Sequence, residues 1–357
     1  VTSGRGEPDL KICVTGCAGF IGAYVVTCAL RAGLSVVGVD NLSADYDVRL
    51  KEWRLKRLLT EPGFRFCRAD LTDSSAVTHR VEKALAAGGR AGAVIHLAGR
   101  VGLRRSLEDP SACYESNVGG TLNLLESCRR IGVPRVVLAS TAAVYTGPQG
   151  QDAFQEALSD AVGMSGQPSV DSPYAASKRA AEQLLHSYYA TYGIDAVVAR
   201  LFTVYGPAGH PEMSVFRFVR AISENELIEV YGDGTQRRDF TYVEDAAQGL
   251  VAATRLPGFH VVDLGTGTPI ALLTIVDTLG AIMGRTPRVR HLSAHPAEVV
   301  DRVADVDRTE RILGWVATTP LDAGLRQCVT WFEENRGWAT SLKLGEPYRT
   351  ERIAPDR

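Results

Sequence analysis

Two groups of residues in this chain have types and spacings suited to proton transfer and to anion binding. Tyr174-Ala175-Ala176-Ser177-Lys178 sets a phenol and an ammonium four residues apart, which on a helix places both on one face. A neighbouring ammonium stabilises phenolate and lowers the tyrosine pKa, fitting it for proton transfer near neutral pH. Alone, the pattern is equally that of an ordinary exposed pair. Its setting favours chemistry, because Ser172-Pro173 is a helix-start signal and Ser140-Thr141 ends an earlier apolar run with a hydroxyl donor. The second group is Val14-Thr15-Gly16-Cys17-Ala18-Gly19-Phe20-Ile21-Gly22. Gly16 allows a tight turn, Gly19 lets backbone N–H groups approach a pyrophosphate, and Gly22 lets a helix pack on a sheet. Phe20 and Ile21 then open a helix whose N-terminus faces the anion. The same glycines also fit a plain strand-to-helix turn. Asp40 narrows the choice. It ends the next apolar run, 18 residues after Gly22, where a carboxylate accepts hydrogen bonds from both adenosine ribose hydroxyls and repels a 2′-phosphate. Asn41-Leu42 follow with no arginine, so the cofactor predicted is NAD rather than NADP. As a bare residue Asp40 is also a natural helix N-cap or turn former. Asp70-Leu71, after a third run, could receive the adenine amino group, and Asp70 fits a strand-end cap as well.

These residues need elements to hold them. Residues 10–15 (LKICVT), 35–40 (SVVGVD), 64–70 (FRFCRAD), 93–97 (AVIHL), 135–140 (RVVLAS) and 195–201 (DAVVARL) read as strands. Continuous apolar runs, rather than alternating ones, point to strands covered on both faces of a parallel sheet. Amphipathic stretches at 21–32, 109–131 and 174–192 lie between them. Strand, helix, strand, helix predicts an α/β fold with a doubly wound parallel Rossmann sheet. After residue 201 the rhythm breaks at a Gly/Pro-rich turn, YGPAGHPEM. Residues 1–202, rejoined by 237–262, are predicted to form the dinucleotide-binding domain. Residues 203–236 and 263–340 are predicted to form a smaller mixed α/β substrate domain. Residues 341–357 read as a charged, loosely held tail.

Composition excludes several classes. The chain has 357 residues, about two domains' worth. Its 39 Lys+Arg nearly balance 41 Asp+Glu, which leaves no basic excess for nucleic acid. No run approaches the length of a spanning helix and no signal peptide opens the sequence, so neither a membrane nor export is predicted. Seven scattered cysteines make no disulfide framework. Cys13 and Cys17 lack the second ligand pair of a zinc site, so no metal is expected. Reduced thiols in a cytoplasmic protein are the reading. Only six of the 39 cations are lysines, which singles out Lys178.

The glycine motif, His96-Leu97-Ala98-Gly99, Ser140-Thr141 before Val144-Tyr145, and Tyr174-x-x-x-Lys178 resemble the extended short-chain dehydrogenase/reductase family over about residues 10–335. Within it the chain is most similar to nucleotide-sugar epimerases, the UDP-glucuronate 4-epimerases above all. That likeness rests on Asp40-Asn41-Leu42 with Tyr46-Asp47, residues 103–110 (LRRSLEDP), Phe202 to Pro207 (FTVYGP), His210-Pro211-Glu212-Met213, and residues 238–243 (RDFTYV).

The resemblance implies tightly held NAD, with Leu97, Ala98 and Gly99 joining the cofactor site, and a UDP-sugar substrate. It implies that Tyr174 takes the sugar O4 proton while the C4 hydride passes to NAD. Thr141 hydrogen-bonds O4, and Lys178 holds the nicotinamide ribose. The 4-keto sugar turns over and the hydride returns to its other face. Asn117, Arg238 and Arg302 are implied as sugar-nucleotide contacts, Arg238 being suited to a diphosphate by its planar fork. A homodimer is implied, pairing the 109–131 and 174–192 helices across a two-fold axis. Related dehydratases carry Asp-Glu directly after the threonine, and decarboxylases carry a Glu one place further. Here Ala142 and Ala143 stand there, which favours simple epimerisation. One departure concerns the sugar. His210 stands where an arginine would grip a carboxylate, leaving Thr203, Arg104 or Arg217 to supply that contact. The alternatives are a 4-epimerase of neutral UDP-hexoses, then a UDP-glucuronate decarboxylase that manages without the Glu, or a non-catalytic NAD-sensing protein.

Overall fold

The computed structural model describes residues 11–87, 91–145, 172–293 and 302–344. Its frame is a seven-stranded parallel sheet built from β1 (Lys11–Thr15), β2 (Ser35–Asp40), β3 (Phe64–Arg68), β4 (Ala93–His96), β5 (Arg135–Thr141), β6 (Asp195–Leu201) and, later in the chain, Phe259–Leu264. The spatial order is Phe259–Leu264, β6, β5, β4, β1, β2, β3. The order reverses between β1 and β4, and at such a switch point a crevice opens beyond the strands' carboxyl ends. Helices α1 (Phe20–Arg31), α2 (Val48–Leu58), α3 (Gly120–Ile131) and α4 (Pro173–Tyr192) connect the strands.

Two apolar layers sandwich the sheet. Ile12, Val14, Val25, Ile95 and Leu250 lie in one, and Cys13, Val94, Leu124, Leu138 and Leu185 in the other. Adjacent strand residues therefore face opposite layers, which explains the unbroken apolar runs. Each fully buried Leu or Ile contributes roughly 1.5–3 kcal/mol.

After β6 the main elements are β7 (Thr203–Tyr205), α5 (Ser214–Ser223), β8 (Leu227–Tyr231), β9 (Arg237–Tyr242), α6 (Val243–Ala253), β10 (Phe259–Leu264), β11 (Pro269–Ala271), α7 (Leu272–Met283), β12 (Arg288–Leu292), α8 (Val306–Leu313) and α9 (Leu321–Glu334). Two small sheets, β11-β9-β7 and β12-β8, share a third core around Phe216, Phe240, Leu325 and Phe332.

Two expectations need correction. The stretch 109–131 is not one helix. A short helix Pro110–Tyr114 passes through a π-turn, Glu115–Gly119, into α3. The extra residue of the π-turn brings buried Asn117 toward the site, a common use of such turns. The segment from 341 is not a loose tail at its start. Leu342 is buried, its carbonyl accepts from Arg220 at 2.9 Å, and Lys343 N donates to Asp47 at 3.0 Å.

Candidate active site

The glycine turn is closed by its own backbone. Gly16 N donates to Val39 O at 2.7 Å and Gly19 N to Gly16 O at 2.9 Å. Gly16 has φ +70°, and a Cβ on Gly22 would fall 2.1 Å from Gly16 O, so neither position accepts a side chain. Phe20 is buried and Ile21 half-buried at the start of α1. Asp40, also buried, accepts from Ala18 N at 3.0 Å and from Leu42 N at 2.8 Å, tying the end of β2 to the glycine turn. Asn41 donates to Asp70 at 2.9 Å, and Thr72 N and Oγ1 also donate to Asp70. Burial pushes the Asp70 pKa upward, and these hydrogen bonds outweigh it, holding the carboxyl below its usual range. Leu71, buried, follows.

The far wall is set by a relay the sequence did not reveal. Thr15 donates to His96 Nδ1 at 2.7 Å and accepts from Leu97 N and Ala98 N, each at 3.2 Å. His96 Nε2 donates to Thr121 Oγ1 at 3.0 Å, and that hydroxyl donates to Asn117 O at 2.5 Å. Burial, then the Lys178 charge, pushes the imidazole down to about 3, so it is neutral. The relay fixes Leu97-Ala98-Gly99 against the glycine turn. A Cβ on Gly99 would stand 3.3 Å from Lys178 Nζ and 2.7 Å from Asn117 Oδ1. A cradle that no side chain can enter, ending at a buried carboxylate, fits the NAD expected from the sequence.

Thr141, Tyr174 and Lys178 come together where β5 meets α4. Ser172 caps the helix by accepting from Ala175 N at 3.2 Å, and Pro173 starts it. The Thr141 hydroxyl donates to the Tyr174 phenol oxygen and accepts from Ala143 N at 3.1 Å. Lys178 Nζ donates to Ala139 O at 3.0 Å. Burial pushes the Tyr174 phenol up to about 12 against the pull of the Thr141 bond, and brings Lys178 down to about 8. The lysine-lowered tyrosine expected from the spacing is therefore not what the structure shows: burial dominates, and the group that pulls the phenol down is Thr141 rather than Lys178. Ala142 and Ala143 form the 3₁₀ turn after Thr141, so no carboxylate stands there.

The residues assigned to the sugar are less uniform. Asn117 is buried. Its Oδ1 accepts from Arg100 N at 2.8 Å, and its Nδ2 donates to Arg100 O at 3.1 Å and Ser177 Oγ at 2.9 Å. Thr203, His210 and Met213 line one small cleft. The His210 ring packs 4.3 Å from Tyr46 and its Nδ1 accepts from Glu212 N at 3.3 Å. Burial and the charges of Arg54, Arg105 and Lys51 push it down to about 3, so this imidazole is neutral as well. Arg238 is half-buried on β9, and its neighbour Asp239 accepts from Ala304 N at 3.3 Å, which brings the segment carrying half-buried Arg302 beside it. Arg217 is half-buried on α5. Arg104 lies in the helix Leu103–Glu108, with its side chain outside the described residues.

Sequence reasoning missed Arg54. Its guanidinium donates to Ala18 O (3.2 Å), Ala208 O (2.6 Å) and Tyr46 Oη (2.7 Å), clasping the glycine turn to the loop that carries His210. No ion-binding cluster of His, Cys, Asp or Glu exists among the described residues.

A dinucleotide cradle opening onto a Tyr–Lys helix defines a class of proteins that work on a bound substrate by hydride and proton transfer. The chain matches the NAD dependent epimerase/dehydratase family over residues 12–265 and belongs to it. It is 41% identical over 332 residues to the UDP-glucuronate 4-epimerase of Thermodesulfobacterium geofontis, covering 93% of this chain and 98% of the relative. Among solved structures it is similar to the UDP-glucuronic acid 4-epimerase of Bacillus cereus in complex with UDP-glucuronic acid and NAD. That likeness has a TM-score of 0.79 at 30% identity, covering 91% of this chain and 100% of the other. The UDP-glucose 4-epimerase of Thermus thermophilus in complex with NAD gives a TM-score of 0.77 at 30% identity, covering 91% and 99%.

Proposed function

We propose that the protein inverts C4 of a UDP-sugar with NAD held in the cradle, converting UDP-glucuronate to UDP-galacturonate. The observation that carries this is the convergence of Thr141, Tyr174 and Lys178 where β5 meets α4, with Lys178 Nζ bonded to Ala139 O on β5 and alanines at the two positions after Thr141. Bound NAD supplies the reversible hydride acceptor for C4. Asp40 holds the adenosine ribose and Lys178 the nicotinamide ribose. Tyr174 takes and returns the proton at sugar O4, and Thr141 steadies that oxygen and the phenolate. With Ala142 and Ala143 in place, no acid protonates a departing C6 hydroxyl or assists at C5, so the 4-keto sugar is reduced again rather than diverted. Arg238 and Arg302 face the diphosphate.

A second reading, 4-epimerisation of neutral UDP-hexoses, is favoured by neutral His210, which offers a carboxylate no charge. Incubating the protein with UDP-glucuronate, UDP-glucose and UDP-N-acetylglucosamine separates the two. UDP-galacturonate as the main product supports the first, and a pentose with CO2 release overturns both.

A homodimer is part of the proposal. Leu122 on α3 and Tyr192 on α4 are 41% and 51% exposed, and Tyr114, on the short helix before α3, is 43% exposed. Such apolar surface on two helices suits an isologous four-helix contact. Leu122→Glu should shift the protein to monomer in light scattering, and a wild type that is monomeric at micromolar concentration refutes the contact. No described helix is long and apolar enough to cross a membrane. Seven unpaired cysteines support a reducing, cytoplasmic setting.

A further inference from the structure

The catalytic helix carries a second buried charge that the mechanism above does not use. Glu182 lies one turn beyond Lys178 on α4 and is fully buried, so its carboxylate and the ammonium share one helix face. Its Oε1 accepts from Ser140 Oγ and from Arg200 Nε at 3.1 Å, and its Oε2 accepts from Arg200 Nη2 at 2.8 Å. Arg200, on β6, is also fully buried and lies over the Tyr145 ring at 4.7 Å. Tyr145 donates to Asp263 on β10 at 2.6 Å. One network therefore joins α4 to β5, β6 and β10 directly beneath the reacting groups.

Three consecutive residues of β5 are bonded to the same helix. Ala139 O accepts from Lys178, Ser140 donates to Glu182, and Thr141 donates to Tyr174. A buried ion pair is a weak source of stability, since desolvating both charges offsets most of their attraction. Its position suggests another use.

We propose that Glu182 is a positioning residue for this site, holding Thr141 in register with Tyr174 through Ser140 and setting a fixed negative charge one turn behind the Lys178 ammonium. The charge counts because little else of that sign faces Lys178. Cys113, from the helix Pro110–Tyr114, and Glu182 are the groups that favour its charged form, against burial. His96 on β4 is neutral. Arg179 on α4 itself and Arg200 on β6 are cationic and both contact Glu182. Arg105 on the neighbouring short helix pairs with Glu212. Glu126 on α3 is engaged with Arg129 and Tyr188.

The inference rests on the proposed reaction only for the roles of Thr141 and Lys178, and its main test needs no turnover. With six lysines in the chain, ¹³Cε-lysine NMR resolves each, and Lys178→Arg identifies the Lys178 signal by its loss. In Glu182→Gln that signal should titrate lower by roughly one pH unit. The E182Q/R200Q double variant, which removes both members of the buried ion pair together, should shift it in the same direction if the single variant does not fold. An unchanged Lys178 titration in the folded variant overturns the electrostatic part. Ser140→Ala keeps the ion pair and cuts only the link to β5. It should lower kcat about tenfold with KM and bound NAD unchanged, and a wild-type kcat overturns the positioning part. A wild type that turns over none of the three UDP-sugars would defeat the proposed function while leaving the NMR result interpretable.

Discussion

Replacing Thr141 by valine tests whether the hydroxyl, rather than its shape, sets the base. Valine keeps the branched outline, so β5 and the following turn retain their packing. What is lost is the donor to the Tyr174 oxygen and the acceptor for Ala143 N, 3.1 Å away. A hydrogen bond to a charged oxygen is worth about 1.5–3 kcal/mol, or roughly one to two pKa units. Tyr174 already stands at about 12 in the wild type, so removing the bond raises it further. At fixed neutral pH the phenolate fraction falls about 10- to 100-fold, and kcat should fall with it. Because the defect is one of protonation and both phenols titrate above the assayed range, kcat of the variant should rise with pH in parallel with the wild type and stay about 10- to 100-fold below it throughout. Thr141→Ser, which keeps the donor, should restore most of the rate. The assay is epimer formation across pH 6–10 with NAD content checked in each variant. A T141V enzyme with wild-type kcat at every pH would refute the role given to the hydroxyl.

Tyr174→Phe should abolish epimerisation while leaving NAD bound, and near wild-type turnover in that variant sinks the acid–base assignment. Asp40→Ala should lower NAD retention at least roughly tenfold, since the ribose partner and the clamps on Ala18 N and Leu42 N go together; Asp40→Asn should be milder, and equal NAD content in all three excludes the ribose contact. His96 and His210 are both neutral in the fold with pKa values of about 3, against 6.5 in a free side chain. The unfolded chain therefore binds more protons between those limits, so stability is full above pH 6.5 and is lost as pH falls toward 3. Each costs about 2 kcal/mol at pH 5, and Tm should drop on acidification less steeply in the H96Q/H210Q variant; identical slopes would disprove the linkage.

What is legible in the sequence is what is local. The glycine turn, Asp40 and Thr141 each sit at the end of an apolar run, where a parallel sheet must present its ligand-facing groups, and the Tyr–Lys pair opens a helix marked by Ser172-Pro173. The strand limits differ from the sequence reading by two residues or fewer, because burial on both faces imposes continuous apolar runs. The 109–131 stretch reads as one helix because Asn117 and Gly119-Gly120 leave the apolar spacing almost helical while the backbone takes a π-turn. Helix α2 carries no such signal, since VRLKEWRLKRL looks like a solvated surface. Its buried face is nonetheless Leu50, Lys51, Arg54, Leu55 and Leu58. Arg54 reaches Ala208 across 154 positions and Thr15 reaches His96 across 81. Distances of that kind carry no periodicity, and only packing reveals them.

The scarcity of lysine then acquires a physical meaning. Three of the six lysines, Lys11, Lys51 and Lys178, are buried, and each lies in the nucleotide-binding half. Lys11 donates to the carbonyls of Leu85 and Ala87 at 2.6 and 2.7 Å, Lys51 to Ser43 Oγ at 2.9 Å beside Asp40, and Lys178 to Ala139 O at 3.0 Å. In each case the protein acceptors are one or two oxygens in a narrow space. Arg54 and Arg200, the buried arginines among the described residues, instead spread over three or more acceptors or grip a carboxylate with both edges. A planar guanidinium needs room for its fork, whereas an ammonium is a point charge on a slender stem. Lys178 ends beside Gly99, which is kept bare of a Cβ that would stand 3.3 Å from Nζ and 2.7 Å from Asn117 Oδ1. An arginine there would have to displace the β5 carbonyl or the Gly99 turn, so Lys178→Arg should lose NAD binding as well as rate, although it preserves the charge.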